Sequence, residues 1–186
     1  MTKILGLSGA LRKDSTNRKL LREAARVYGT AEYTEADLAL PLYDGDLEAA
    51  EGIPASVQAL VAQIAEADAV LISTPEYNGG IPGVLKNALD WISRSDVKPW
   101  QGKPVAIMAA AAGRAGGARA HHELRLSMAP FQARIVNGPE VLVAASYEQF
   151  DAEGRVTETY EDFLAPLMAS LAEEVKRVAV EEAAAA

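Results

Sequence analysis

The 186-residue chain has no cysteine, which excludes disulfides, thiol redox chemistry and thiolate metal sites together. Any electron chemistry must therefore be carried by a bound cofactor. The chain also lacks an uninterrupted apolar run long enough to cross a bilayer and shows no N-terminal secretion signal. A cytoplasmic protein with no membrane insertion is the expectation. Positive charge is scarce: 18 Lys and Arg against 26 Asp and Glu leave a formal net charge of −8, which argues against nucleic acid as a partner. Apolar residues make up 49% of the chain, too many for a disordered segment. Length and even composition predict a single domain over residues 1–186.

The positive charge that is present is concentrated. Arg12, Lys13, Arg18, Lys19, Arg22 and Arg26 crowd one stretch, opposed only by Asp14 and Glu23. A local positive region in an acidic protein suits an anionic ligand. Arg22 and Arg26 read as a solvated helix face, whereas Arg12 and Asn17 lie in or beside a glycine-containing loop and read as ligand contacts. That loop, Gly6-Leu7-Ser8-Gly9-Ala10-Leu11-Arg12-Lys13-Asp14-Ser15-Thr16-Asn17, follows an apolar strand and opens an amphipathic helix. Such a junction offers backbone N–H groups to a phosphate. Its Gly6-x-x-Gly9 spacing is not the dinucleotide fingerprint.

Lys3–Ser8 reads as a short strand, Ala31–Ala36 as a weak edge-like strand, and the apolar runs Ala69–Ser73 and Pro104–Ala112 as strands buried on both faces. Ile135-Val136 and Val141-Leu142-Val143 read as fragments of a fifth strand broken by Asn137-Gly138-Pro139. Helices are expected over Ser15–Tyr28, Pro54–Glu66, from Gly80–Pro82 through Ile92, through Ala120–Phe131, and from Tyr160 through Val178, with Glu181–Ala186 a frayed tail. Pro41–Asp46 reads as loop. Alternating strands and helices predict a parallel α/β sheet wrapped on both faces, with five strands in the order 2-1-3-4-5. The ligand crevice then lies at the carboxyl ends of strands 1 and 3, where the winding reverses.

Four segments carry a resemblance: Gly9-Ala10-Leu11-Arg12-Lys13-Asp14-Ser15-Thr16-Asn17, Pro75-Glu76-Tyr77-Asn78, Pro82-Gly83-Val84-Leu85-Lys86-Asn87-Ala88-Leu89-Asp90-Trp91 and Gly116-Gly117-Ala118-Arg119. They resemble the NADPH-dependent FMN reductase family, and within it the bacterial chromate and quinone reductases, which are also similar to azoreductases. The likeness covers nearly the whole chain. It implies a flavodoxin-like three-layer fold, one FMN per subunit, and hydride from NADPH or NADH. It also implies small-molecule acceptors such as quinones, chromate or azo compounds, a ping-pong reaction, and a homodimer or homotetramer whose neighbouring subunits complete the sites.

The expected cofactor-binding residues follow from both readings. Gly9, Ala10, Arg12, Ser15 and Asn17 would enclose the phosphate, with Ser15 also a helix N-cap. Ala10 stands where the family usually has serine, so Ser8 or a backbone N–H takes that place. By resemblance, Pro75, Glu76, Tyr77 and Asn78 pass the edge and face of the isoalloxazine ring, and Ala112, Gly113 and Gly116 form a second flavin edge through backbone contacts. Arg119 either holds that loop or reaches across an oligomer interface. No protein nucleophile or catalytic side chain is required.

His121 and His122 point about 100° apart on a helix, and no third ligand stands at helical spacing, so they read as surface or interface residues and no metal is expected. Three alternatives stay open at this level: a flavodoxin-like electron carrier, an FMN-binding regulatory module with little turnover, and an enzyme that takes free FMN as substrate.

Overall fold

The structure, a computed structural model, describes residues 1–185. In chain order the elements are β1 (Thr2–Ser8), α1 (Thr16–Tyr28), β2 (Ala31–Glu35), α2 (Gly45–Glu51), α3 (Ala55–Glu66), β3 (Ala69–Thr74), α4 (Gly83–Ile92), β4 (Pro104–Ala110), α5 (Ala118–Met128), β5 (Arg134–Ile135), β6 (Leu142–Val143) and α6 (Glu158–Ala185). The sheet runs β2-β1-β3-β4-β5, with every pairing parallel. β6 pairs with the end of β4, Ala109 opposite Leu142, while β5 pairs with its start, Pro104 opposite Arg134. The sixth strand is thus the second half of the broken edge strand that the sequence pattern predicts.

β3 and β4 are buried along their whole length because helices cover both faces of the sheet. Alternate residues divide between two cores. Leu5, Val70, Ile72 and Val105 face α3, α4 and α5, and Ile4, Leu71, Ala106 and Met108 face α1 and α6. Ser15 caps α1 by accepting from the Asn17 N–H at 3.2 Å, and Gly29 closes that helix in a positive-φ conformation.

Two parts of the chain depart from the sequence pattern. α2 forms where a loop was expected as far as Asp46. Asp44 caps it, but it has no buried residue, so it leaves no hydrophobic period to detect. α6 continues to Ala185 instead of fraying from Glu181, because Arg134 on the edge strand pairs with both Glu174 and Glu181; Ala186 lies outside the described residues. Among the described residues, no helix is long and apolar enough to cross a membrane.

Candidate functional site

β1 is flanked by β2 on one side and β3 on the other, so the chain winds away in opposite directions and leaves a crevice at the strand carboxyl ends. The loops after β1, β3, β4 and β6 converge there on a cavity of about 340 Å³, within the usual range of small-molecule sites, roughly 300–1,000 Å³. Its wall includes Ala10, Arg12, Ser15, Asn17, Pro75, Glu76, Tyr77 and Ala112 from the predicted set. A larger cavity of about 690 Å³ lies beside Trp100 and Phe131, between the end of α4 and the segment entering β4. That is the amino end of the sheet, away from the glycine loops. Convergence of polar groups, not volume, selects the smaller one.

At the α1 end the donors are uncompensated. The first turn of α1 holds no acidic residue, and the Thr16 backbone N–H has no acceptor among the described residues. Arg12 is exposed and makes no ion pair among the described residues. Arg18 and Arg22 instead share Glu35, and Arg26 joins Glu23 and Glu161. These three arginines are paired with carboxylates, Arg22 and Arg26 on the solvated face of the helix, and Arg12, unlike them, keeps its guanidinium available to an anion.

Asn17 lines the cavity, but its side-chain amide is engaged within the fold. The side chain is 2% exposed. Its Nδ2 donates to the Ala110 carbonyl at 2.9 Å, while Oδ1 accepts from Ser73 Oγ at 2.8 Å and from the Ala110 N–H at 3.2 Å. The amide staples the start of α1 to β3 and β4, and the Asn17 backbone N–H already serves Ser15. Ser8 does not replace the missing hydroxyl of Ala10 in the cavity either: its Oγ exchanges hydrogen bonds with the N–H and carbonyl of Ala10 and fixes the turn.

The loop after β3 is a small hairpin. Tyr77 and Gly80 exchange backbone hydrogen bonds, and Asn78 and Gly79 take positive φ of 52° and 83°, the signature of a two-residue turn of type I′. Both ends of this hairpin are fastened to α5. The Glu76 carboxylate accepts from the Arg119 backbone N–H at 3.0 Å and lies 3.5 Å from its guanidinium, where the positive end of α5 favours a negative charge. Glu123 accepts from the Ile81 N–H at 2.8 Å. Arg119 therefore holds the hairpin, and Glu76 has a positioning role besides lining the cavity.

Gly9, Asn78, Gly113 and Gly116 support the wall without lining it. The Gly9 N–H donates to Ser73, and Gly113 accepts from the Gly116 N–H. Gly116 is buried, at φ +61°, against the backbone of Leu142. The sequence pattern missed Thr16, Ser146 and Tyr147. Thr16 Oγ1 and Ser146 Oγ lie 3.0 Å apart and join α1 to the segment after β6, and Tyr147 stands exposed at the rim. The only signal was their place after a strand carboxyl end. His121 and His122, expected at the surface or an interface, separate: His121 is 1% exposed and His122 is open, and neither lines the cavity.

Residues 2–148 match the NADPH-dependent FMN reductase family. The chain belongs to that family. An NAD(P)H-dependent FMN reductase of Pseudomonas aeruginosa is 44% identical over 156 residues, covering 83% of this chain and 84% of the relative. A quinone reductase of Escherichia coli is 40% identical over 153 residues, covering 81% of each. Among solved structures, a flavoenzyme NAD(P)H:acceptor oxidoreductase from Paracoccus denitrificans superposes with a TM-score of 0.81 at 31% identity, over 94% of this chain and 99% of that one.

As a member of the NADPH-dependent FMN reductases the protein is an oxidoreductase, with a flavodoxin-like fold and with FMN and NAD(P)H as cofactors. The cavity fits FMN on its own chemistry. One end presents the Thr16 N–H and the Arg12 guanidinium, both without a partner among the described residues, and the Ser15 hydroxyl; the other is walled by Pro75, Ala111 and Ala112. The first end suits a dianionic phosphate and the second a flat ring.

Proposed function

We propose that this chain retains FMN as a prosthetic group and passes electrons from NAD(P)H to quinones, with chromate and azo compounds as further acceptors, by a ping-pong reaction. The names of the relatives support quinones as the first acceptor class to test. The reading rests above all on one observation: uncompensated donors at the start of α1 and a braced hairpin after β3 meet in one cavity.

Bound FMN would supply the two-electron redox chemistry between the nicotinamide and the acceptor. The protein's part is binding and exclusion. Arg12, Ser15 and the Thr16 N–H bind the phosphate. Pro75, Ala110, Ala111 and Ala112 keep water from one side with methyl and methylene groups. Tyr77 and Tyr147, both exposed, flank the mouth where each substrate in turn would stack. Glu76 is engaged with Arg119, so protons reach the acceptor from water and no protein acid is required. The hairpin's two ties to α5 hold Tyr77 in place between half-reactions.

Dependence on NAD(P)H suits the cytoplasmic location expected from the sequence. An oligomer, implied by the resemblance, would bring a second copy to the exposed rim. The test is anaerobic: NADPH added to the purified yellow protein should bleach the flavin directly, and a quinone should restore it. Double-reciprocal plots at several quinone concentrations should be parallel. A flavin that bleaches only with a separate reductase, or intersecting plots, would overturn the reading; FMN lost on gel filtration would make it substrate rather than prosthetic group.

A further inference from the structure

We propose that His121, His122 and Glu140 form a binding site for a divalent cation of the zinc class, at the junction of α5 with the edge of the sheet and outside the FMN cavity. One ligand atom from each of the three lies within 4.8 Å of the other two. His122 Nε2 stands 3.3 Å, and His121 Nδ1 3.7 Å, from the same Glu140 oxygen. Two ligands at about 2.1 Å from one tetrahedral ion are themselves about 3.4 Å apart. Two edges of a coordination triangle are therefore already set, and the exposed His122 closes the third by a small side-chain movement.

The argument against a metal, that adjacent helical histidines diverge, fails because the third ligand comes from another element. Glu140 precedes β6, and the parallel pairing of β6 with β4 carries it alongside the first turn of α5.

His121 supplies the second, independent observation. It is 1% exposed, and neither ring nitrogen has a hydrogen-bond partner among the described residues. Leaving a buried polar atom unsatisfied is costly, so native structures keep few of them without a purpose. Two imidazoles and a carboxylate suit zinc, cobalt or nickel. The exposure of His122 and Glu140, 64% and 49%, leaves the fourth position to water.

The experiment uses the full chain loaded with FMN, carried on a tag free of histidine, stripped with chelator and dialysed. Zn²⁺ is titrated in competition with a chromophoric chelator, and Co²⁺ is followed by its visible absorption. The wild type should take up one Zn²⁺ per chain and show the intense visible bands of four-coordinate cobalt. His122→Ala and Glu140→Gln change exposed positions and should keep FMN content and metal-free Tm. Each should weaken Zn²⁺ binding at least about tenfold, and Zn²⁺ should raise the Tm of the wild type alone. Wild type and both variants competing equally, or no uptake by any, would overturn the site and leave an ordinary imidazole–carboxylate pair. Either result is independent of the reductase assay.

Discussion

Asn17→Ala separates two accounts of the same side chain. As a phosphate ligand, its loss would weaken FMN and leave the apoprotein stable. As the staple seen here, its loss removes three buried hydrogen bonds, to the carbonyl and N–H of Ala110 and to Ser73 Oγ. At about 1 kcal/mol net for each, the cost is about 3 kcal/mol. Water entering from the adjacent cavity lowers it, and any partner left dry raises it. For a chain of this length each kcal/mol shifts Tm by about 2–4 °C, so the variant should melt about 6–12 °C below wild type. The assay is urea and thermal unfolding of the apoprotein, because bound FMN would add its own stabilisation to the folded state. Ser73→Ala should cost less, and the double variant should cost less than the sum, because both remove the same bond. An Asn17→Ala apoprotein that melts within about 1 °C of wild type, below the shift of even one lost hydrogen bond, while FMN affinity collapses, would refute the staple and restore the ligand role.

Arg12→Ala should leave apoprotein stability unchanged, since the side chain is exposed and unpaired, and should weaken FMN at least about tenfold through one lost charge-assisted contact; flavin fluorescence titration measures it. Gly116→Ala should destabilise by about 2 kcal/mol or more, because it combines positive φ with a Cβ set against the Leu142 carbonyl. Gly113→Ala, which meets open space, should stay within about 0.5 kcal/mol in the same urea titration. Among the described residues the buried Tyr33 hydroxyl has no partner, and burial, then the charge of Glu35, raise its pKa well above the ordinary value that the unfolded chain keeps, 10.0. Its contribution is complete below that value. Above it the unfolded chain loses the proton first, so stability falls as pH rises. Tyr33→Phe should flatten that alkaline loss and be neutral or stabilising at pH 7, and Tm measured across the alkaline range reads both effects.

The local signals proved strong wherever burial is periodic along a helix or continuous along a strand. β3 and β4 read as strands because both faces are covered, and α1 and α3 show their buried stripes. α2, with nothing buried, left no trace. The loops after β1, β3 and β4 were visible as glycine-rich interruptions, and the winding rule placed them at one crevice. The residues around that crevice were therefore legible as a group. Their individual tasks were not: Asn17, Glu76 and Arg12 all read as polar residues beside a ligand.

What the amino-acid order decides by itself is periodic burial, turn chemistry and hence the sheet with its switch point, because these depend on neighbours a few residues away. What only the folded chain decides is which polar group satisfies which. Asn17 meets Ser73 and Ala110 across 56 and 93 residues, Glu76 meets the start of α5, and Glu140 comes beside two histidines. Each donor or acceptor is satisfied by a choice among many chemically equal partners, and only three-dimensional proximity makes that choice.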